Sequence, residues 1–387
     1  MPRDTPIKKV MLVFGTRPEA IKMLPLAAAL RQSGEFEVEI CITAQHREML
    51  DQVMDLFGET AGFDLDVMRE AKGLTQITTA ILERFKGVLE AWQPDLVMVH
   101  GDTTTSTAAA LACFYAKVPV AHVEAGLRSH DPLQPWPEEI NRRLTSVVTR
   151  YHFAPTAGAQ DNLVRENIDP TTIFVTGNTV IDALYYVREK IEQDAALGAQ
   201  LRERFAALSD ARNLILVTAH RRENIGQPMA QVCEALATLV TVHEAQIILP
   251  LHLNPAVRGP ISKRLGGMEH VHLVEPLDYT AFCYLMNRAH CIITDSGGVQ
   301  EEAPSLGKPV FVVRNVTERP EAVEAGTVKL VGTDTDKIVR KVGTILNDPT
   351  AYARMSERVN PFGDGRASRR ITDILAGRTP EAFLSDQ

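Results

Sequence analysis

Short runs of β-branched and aliphatic residues alternate with longer stretches of helical apolar period along the 387 residues of the chain. The run KKVMLVFG precedes a helix-period segment from Glu19 to Gln32, and FEVEICIT precedes a helix from Arg47. PDLVMVHG, a helix from Thr104 and VPVAHVEAG continue the series. Such alternation predicts a parallel sheet flanked by helices. A second series starts after Thr176-Gly177-Asn178, with NLILVTAH, a helix from Met229 to His243, AQIILPLH, HVHLVEP, a helix around Phe282 to Arg288, HCIITDSGG, KPVFVVR and TVKLVG. The expectation is an α/β protein of two Rossmann-like domains, residues 1–176 and 177–360. The turn-rich break Asn360-Pro361-Phe362-Gly363-Asp364-Gly365 leads into a helical tail, 361–387, expected to cross back to the first domain.

Length agrees with that division, since a single core seldom extends this far. A content of 45% hydrophobic and 23% charged residues is ordinary for a globular protein. The net charge of −8 argues against nucleic acid or an anionic membrane as partner, yet leaves room for a local cation cluster on a small anion. Cys41, Cys113, Cys233, Cys283 and Cys291 are scattered, with no zinc-like spacing, so they are expected to be reduced core thiols and no metal is expected. The apolar run Val10 to Phe14 is too short for a signal peptide and no stretch is long enough to span a membrane, which points to the cytoplasm.

Open α/β sheets bind ligands beyond the carboxyl ends of their strands, so chemistry is sought there. Gly15-Thr16-Arg17-Pro18-Glu19-Ala20-Ile21-Lys22 follows the first strand and opens a helix, with Arg17 and Lys22 adding charge beside free N–H groups. It reads either as a diphosphate site or as an ordinary strand-to-helix turn. Asp102 follows the strand PDLVMVHG and Glu124 ends HVEAG; acids so placed are costly to desolvate unless used or paired. Asp102 is equally readable as a helix N-cap. Glu138 and Arg142 stand one helical turn apart, which alone reads as a capped helix start with a surface ion pair.

In the second half, Thr218-Ala219-His220-Arg221-Arg222 ends a strand, and His220 is an anion contact or a cap. Thr294-Asp295-Ser296-Gly297-Gly298-Val299-Gln300-Glu301-Glu302 is the strongest local signal. The amides of Ser296, Gly297 and Gly298 suit a phosphate, and a Glu one turn later suits a ribose. His243, His252, His270, His272 and His290 read as surface or cap residues.

The motifs GTRPEAIK, TAQHR, HGDTTT, HVEAGLRS, PEEINRR, TGNTVIDAL, TAHRREN, DSGGVQEEAPSLGKPV, TERPEA and NPFGDG, in this order, resemble the non-hydrolysing bacterial UDP-N-acetylglucosamine 2-epimerases from end to end. The resemblance implies a glycosyltransferase-B-like fold whose two domains face a cleft, no metal or redox cofactor, and a homodimer. It implies reversible epimerisation at sugar carbon 2, between UDP-N-acetylglucosamine and UDP-N-acetylmannosamine, by elimination of UDP to 2-acetamidoglucal and its return, for cell-surface polysaccharide precursors. The absence of G-x-G-x-x-G fits a route that needs no oxidised sugar made with a dinucleotide. By motif, Asp102, Glu124, Glu138 and His220 are the catalytic candidates. Arg17, Lys22, Arg142, Phe282, Ser296, Gly297, Gly298, Glu302 and Arg319 are the candidates for binding the nucleotide sugar.

The family's activator subsite would involve Gln45, His46 and Arg47, but Glu48 and Ala71 stand where many members have Gln and Arg. A carboxylate facing a diphosphate sugar is unfavourable, so weak activation by substrate is expected. Leu277 replaces a Gln common near the base, leaving uracil to backbone groups. Competing readings are a hydrolysing epimerase releasing N-acetylmannosamine and UDP, a glycosyltransferase of the same fold, and an inactive UDP-sugar sensor.

Overall fold

The computed structural model describes residues 7–43, 47–67, 73–221, 224–317 and 319–383. The described residues form two compact units, 7–183 with 362–383, and 184–361. It leaves the first unit within the helix Thr179–Gln193 and re-enters it at Phe362.

The first unit carries a seven-stranded sheet of β1 (Lys9–Phe14), β2 (Glu37–Ile42), β3 (Phe63–Asp64), β4 (Leu96–His100), β5 (Val120–Val123), β6 (Tyr151–Ala154) and β7 (Ile173–Val175). The order is β3-β2-β1-β4-β5-β6-β7 and every pairing is parallel. β4 is buried throughout and β1 in all but its first residue, as a parallel sheet covered on both faces requires. On one face Met11, Val13, Val97 and Val99 pack with Ile77, Ile81 and Phe85 of the helix Leu74–Trp92. β3, β6 and β7 were not among the expected strands. β3 and β7 are only two and three residues long, and β6 has a polar His152 in its centre.

The C-terminal helix Ala367–Leu375 packs on the helix Arg17–Gln32 of this unit, as the fold reading expected. Asp182 anchors its start: Ser368 N–H donates to Oδ1 at 2.8 Å and Ala367 N–H to Oδ2 at 3.2 Å. Buried Arg370 donates to both Asp364 oxygens, at 2.7 and 2.6 Å, and to Thr176 O at 3.2 Å.

The second unit has six parallel strands in the order β10-β9-β8-β11-β12-β13: β8 (Leu214–Thr218), β9 (Gln246–Pro250), β10 (Val271–Val274), β11 (Cys291–Thr294), β12 (Val310–Val312) and β13 (Val328–Leu330). Ile215, Val217, Ile247, Leu249 and Ile293 pack with Val232, Leu236 and Leu239 of the helix Gln227–Val242. All five cysteines are buried and none is in a disulfide, in line with core thiols. Among the described residues, no helix is long and apolar enough to cross a membrane and no cluster of three or more His, Cys, Asp or Glu is placed to hold a metal.

Candidate active site

Each sheet reverses its winding once, between β1 and β4 in the first unit and between β8 and β11 in the second. The helices on either side of such a point leave in opposite directions, opening a crevice at the strand ends. Asp102 follows β4, Glu124 follows β5, His220 follows β8 and Ser296-Gly297-Gly298 follows β11. The residues singled out from sequence therefore gather at the two places where this topology admits a ligand.

In the first unit, Glu124 is buried and sits at φ 62°, a left-handed backbone conformation uncommon for a residue with a side chain. Its carboxylate pairs with the Lys22 ammonium and accepts from Asn178 Nδ2 at 2.8 Å on the same oxygen, Oε2. His100 Nε2 lies 3.6 Å from that oxygen. Lys22, expected among the phosphate cations, is thus held against a carboxylate. Gly126, two residues on, has φ +89°, and a Cβ there would sit 2.2 Å from Ala159 O, so only glycine fits this turn.

Asp102 does not cap the following helix. Thr103 does, accepting from Ser106 N–H at 3.1 Å, while Asp102 pairs with Arg142. Glu138 opens the helix Glu138–Val148, and its Oε2 is buried with no hydrogen-bond partner among the described residues. Arg142 turns from Glu138 to Asp102 and to Glu139, 3.5 Å away, so the expected surface pair is replaced by an internal one. Beneath this group, His122 Nε2 meets Gly101 O at 2.7 Å, and burial pushes the imidazole down to about 3, keeping it neutral.

The turn Gly15-Thr16-Arg17 carries a capping box made by Thr16 and Glu19. Glu19 accepts from Gly15 N–H at 3.0 Å and Thr16 N–H at 2.8 Å, and also from the Thr103 and Ser106 hydroxyls at 2.6 and 3.2 Å. The Gly15 and Thr16 amides are therefore engaged. Gly15 is required by contact: a Cβ would fall 1.9 Å from Thr43 Oγ1.

In the second unit, Asp295 is fully buried at the end of β11. Its Oδ2 accepts from His220 N–H and Arg221 N–H, both at 2.8 Å, and from Asn224 Nδ2 at 3.1 Å. The next α-helix after His220 is Gln227–Val242, with Gly226 before it. The His220 ring stacks on His252, centroids 5.6 Å apart, so His252 is more than an isolated surface residue. Ser296 N–H donates to Thr294 Oγ1 at 2.9 Å, so one of the three amides expected for a phosphate is already engaged. Arg319 donates through Nε to buried Glu301 at 2.6 Å, and its guanidinium lies in contact range of a Cβ at Gly297. Glu302 Oε1 accepts from Tyr279 Oη at 2.6 Å; Phe282 stands one turn further along the same helix, Tyr279–Arg288, half-buried.

Gln45, His46 and Ala71 lie outside the described residues. Arg47 and Glu48 enter as backbone only, the first two residues of the helix Arg47–Phe57. Glu19, Glu139, Asn178, Tyr279 and Asp295 organise the site and were not among the candidates. The T-x-x-E spacing of Thr16 and Glu19 was one available signal, and the glycine-rich motif that contains Asp295 was another.

A family model described as UDP-N-acetylglucosamine 2-epimerase matches residues 28–376. The UDP-N-acetylglucosamine 2-epimerase of Yersinia pestis is 55% identical over 368 residues, 95% of this chain and 98% of that one. That of Escherichia coli strain K12 is 52% identical with the same coverage. The crystal structure of the Neisseria meningitidis enzyme bound to UDP-GlcNAc superposes with a TM-score of 0.90 at 49% identity, covering 96% of this chain and 100% of that one. A Methanocaldococcus jannaschii enzyme in complex with UDP-GlcNAc and UDP gives 0.80 at 34% identity, with 95% and 99% covered. Two Rossmann-like units of the glycosyltransferase-B type, with charged residues gathered at their switch points and this likeness along nearly the whole length, agree on one assignment: the chain belongs to the UDP-N-acetylglucosamine 2-epimerase family.

Proposed function

We infer that the protein interconverts UDP-N-acetylglucosamine and UDP-N-acetylmannosamine without releasing free sugar. A carboxylate takes the proton from carbon 2 while the bond from carbon 1 to the UDP oxygen breaks, giving 2-acetamidoglucal and UDP. A second acid returns a proton to the opposite face of carbon 2, and UDP re-adds at carbon 1. Asp102, Glu124 and Glu138 are the groups for proton transfer. His220 and the cations Arg17 and Arg319 meet the charge that develops on the departing diphosphate, where positioned positive charge lowers the barrier. Gly297, Gly298, Glu302 and Phe282 hold the nucleotide. Lys22 and Arg142, paired with Glu124 and Asp102, hold those carboxylates in place.

The observation that carries this reading is the set of carboxylates at the ends of β4 and β5 and the start of the next helix, two of them ion-paired within one unit. A glycosyltransferase has no use for so many acids around one sugar carbon. The test is product analysis by chromatography after incubation with UDP-N-acetylglucosamine. UDP-N-acetylmannosamine with traces of 2-acetamidoglucal and UDP is expected, whereas stoichiometric N-acetylmannosamine plus UDP assigns a hydrolase.

The family's homodimer has a supporting surface. Ile140, Leu144 and Val147 form an exposed apolar stripe on the helix whose other face carries Arg142, and Phe114 and Tyr115 are exposed at the end of the neighbouring helix Thr104–Ala116. Light scattering should give twice the chain mass, and Leu144→Arg with Val147→Glu should give the monomer.

A further inference from the structure

A histidine that meets a leaving group through one ring nitrogen depends on what its other nitrogen faces, because that partner sets both tautomer and charge. His220 Nδ1 faces Asp295 Oδ1 at 3.4 Å. The three donors from His220 N–H, Arg221 N–H and Asn224 all fall on Oδ2, so they fix the carboxylate without using Oδ1. Asp295 Oδ1 is buried and has no hydrogen-bond partner among the described residues. A residue that only tied the loop after β8 to β11 would account for Oδ2 and leave Oδ1 desolvated to no purpose. The Thr218 and Thr294 hydroxyls, 2.5 Å apart on adjacent strands, brace the two strand ends that carry the pair.

Resting on the role given to His220 in the proposed reaction, we propose that Asp295 is its positioning residue: the carboxylate holds a proton on Nδ1 and favours the imidazolium formed when Nε2 takes a second proton from solvent, so that an Nε2–H of a cationic ring donates to the departing diphosphate. An amide at position 295 reverses this, since its NH2 donates to Nδ1 and disfavours the doubly protonated ring. Among the described residues the charged or titratable groups facing the ring are Asp295, Arg221 and His252. Burial pushes the imidazolium down, Asp295 opposes that, and Arg221 and His252 add to it. The balance lies below the ordinary histidine value, so losing the carboxylate lowers it further.

The test joins histidine NMR with kinetics on the full-length protein, using His220→Gln to assign the His220 signal. In the unsubstituted protein the neutral ring should carry its proton on Nδ1; a proton on Nε2 overturns the proposal and needs no variant at 295. In Asp295→Asn the His220 titration should move down by about one pH unit, a tenfold loss of proton affinity. Turnover should fall at least about tenfold with UDP affinity within about threefold, and its high-pH limb should shift down with the titration. The double variant should be no slower than His220→Gln alone. An unmoved titration, or losses that multiply, overturns the pairing. Normal turnover in His220→Gln removes the catalytic reading of His220, while a moved titration in Asp295→Asn still upholds the pair.

Discussion

The two switch points share a topology and differ in what holds their charges. After β4 and β5 the acids meet cations brought from far along the chain, Lys22 to Glu124 and Arg142 to Asp102. After β8 and β11 the buried acid is held by backbone N–H groups of the facing loop, and a half-exposed imidazole is the group left toward solvent. In the proposed reaction the difference maps onto two tasks. Proton transfer at carbon needs carboxylates with fixed charge and direction, so side chains lock them. Anion stabilisation needs donors that are already in place, so backbone and a braced histidine suffice.

The comparison breaks most sharply at the acids. Asp102→Asn and Glu124→Gln should each lower turnover by at least about 100-fold while UDP affinity, measured by calorimetry, stays within a few fold. A variant that turns over normally loses its place among the catalytic groups. Asn178→Ala removes the amide from Glu124 but not the carboxylate, so a smaller fall of about tenfold in kcat with little change in KM is expected from misorientation. A change confined to KM would assign Asn178 to binding instead.

Smaller effects separate scaffold from chemistry. Glu19→Ala strands the Gly15 and Thr16 amides and the Thr103 hydroxyl and removes a capping box, and should cost about 2–3 kcal/mol in urea unfolding. A neutral result would mean that water replaces Glu19 without loss. His122 is neutral when folded but takes a proton near 6.5 when unfolded, so the unfolded state binds the extra proton below that pH. Stability should therefore be full above about 6.5 and fall by about 1.4 kcal/mol per pH unit towards about 3 on this account, with His122→Gln flattening the slope by that amount. Parallel slopes would show that His122 is already charged in the fold.

Much of this contrast was legible in the sequence and some of it was not. Strand ends declare themselves, because a buried apolar run followed by Gly101-Asp102 or Asp295-Ser296-Gly297 leaves an acid with few bland explanations. Partners do not: Lys22 and Glu124 are 102 positions apart, and nothing local distinguishes a lysine destined for a phosphate from one destined for a carboxylate. Asp295 was visible as part of a glycine-rich motif, but its work lies in the loop after β8, reached only through the register of β8 on β11. Short strands failed for a related reason. β7 is three residues long and is a strand only because β6 lies beside it.

The central claim is cofactor-free inversion through loss of the carbon-2 proton, and the most direct measurement is a proton NMR time course with UDP-N-acetylglucosamine in deuterated water with nothing added. The account expects UDP-N-acetylmannosamine bearing deuterium at carbon 2. Product that keeps its original hydrogen at that carbon, or no UDP-N-acetylmannosamine at all, would contradict it.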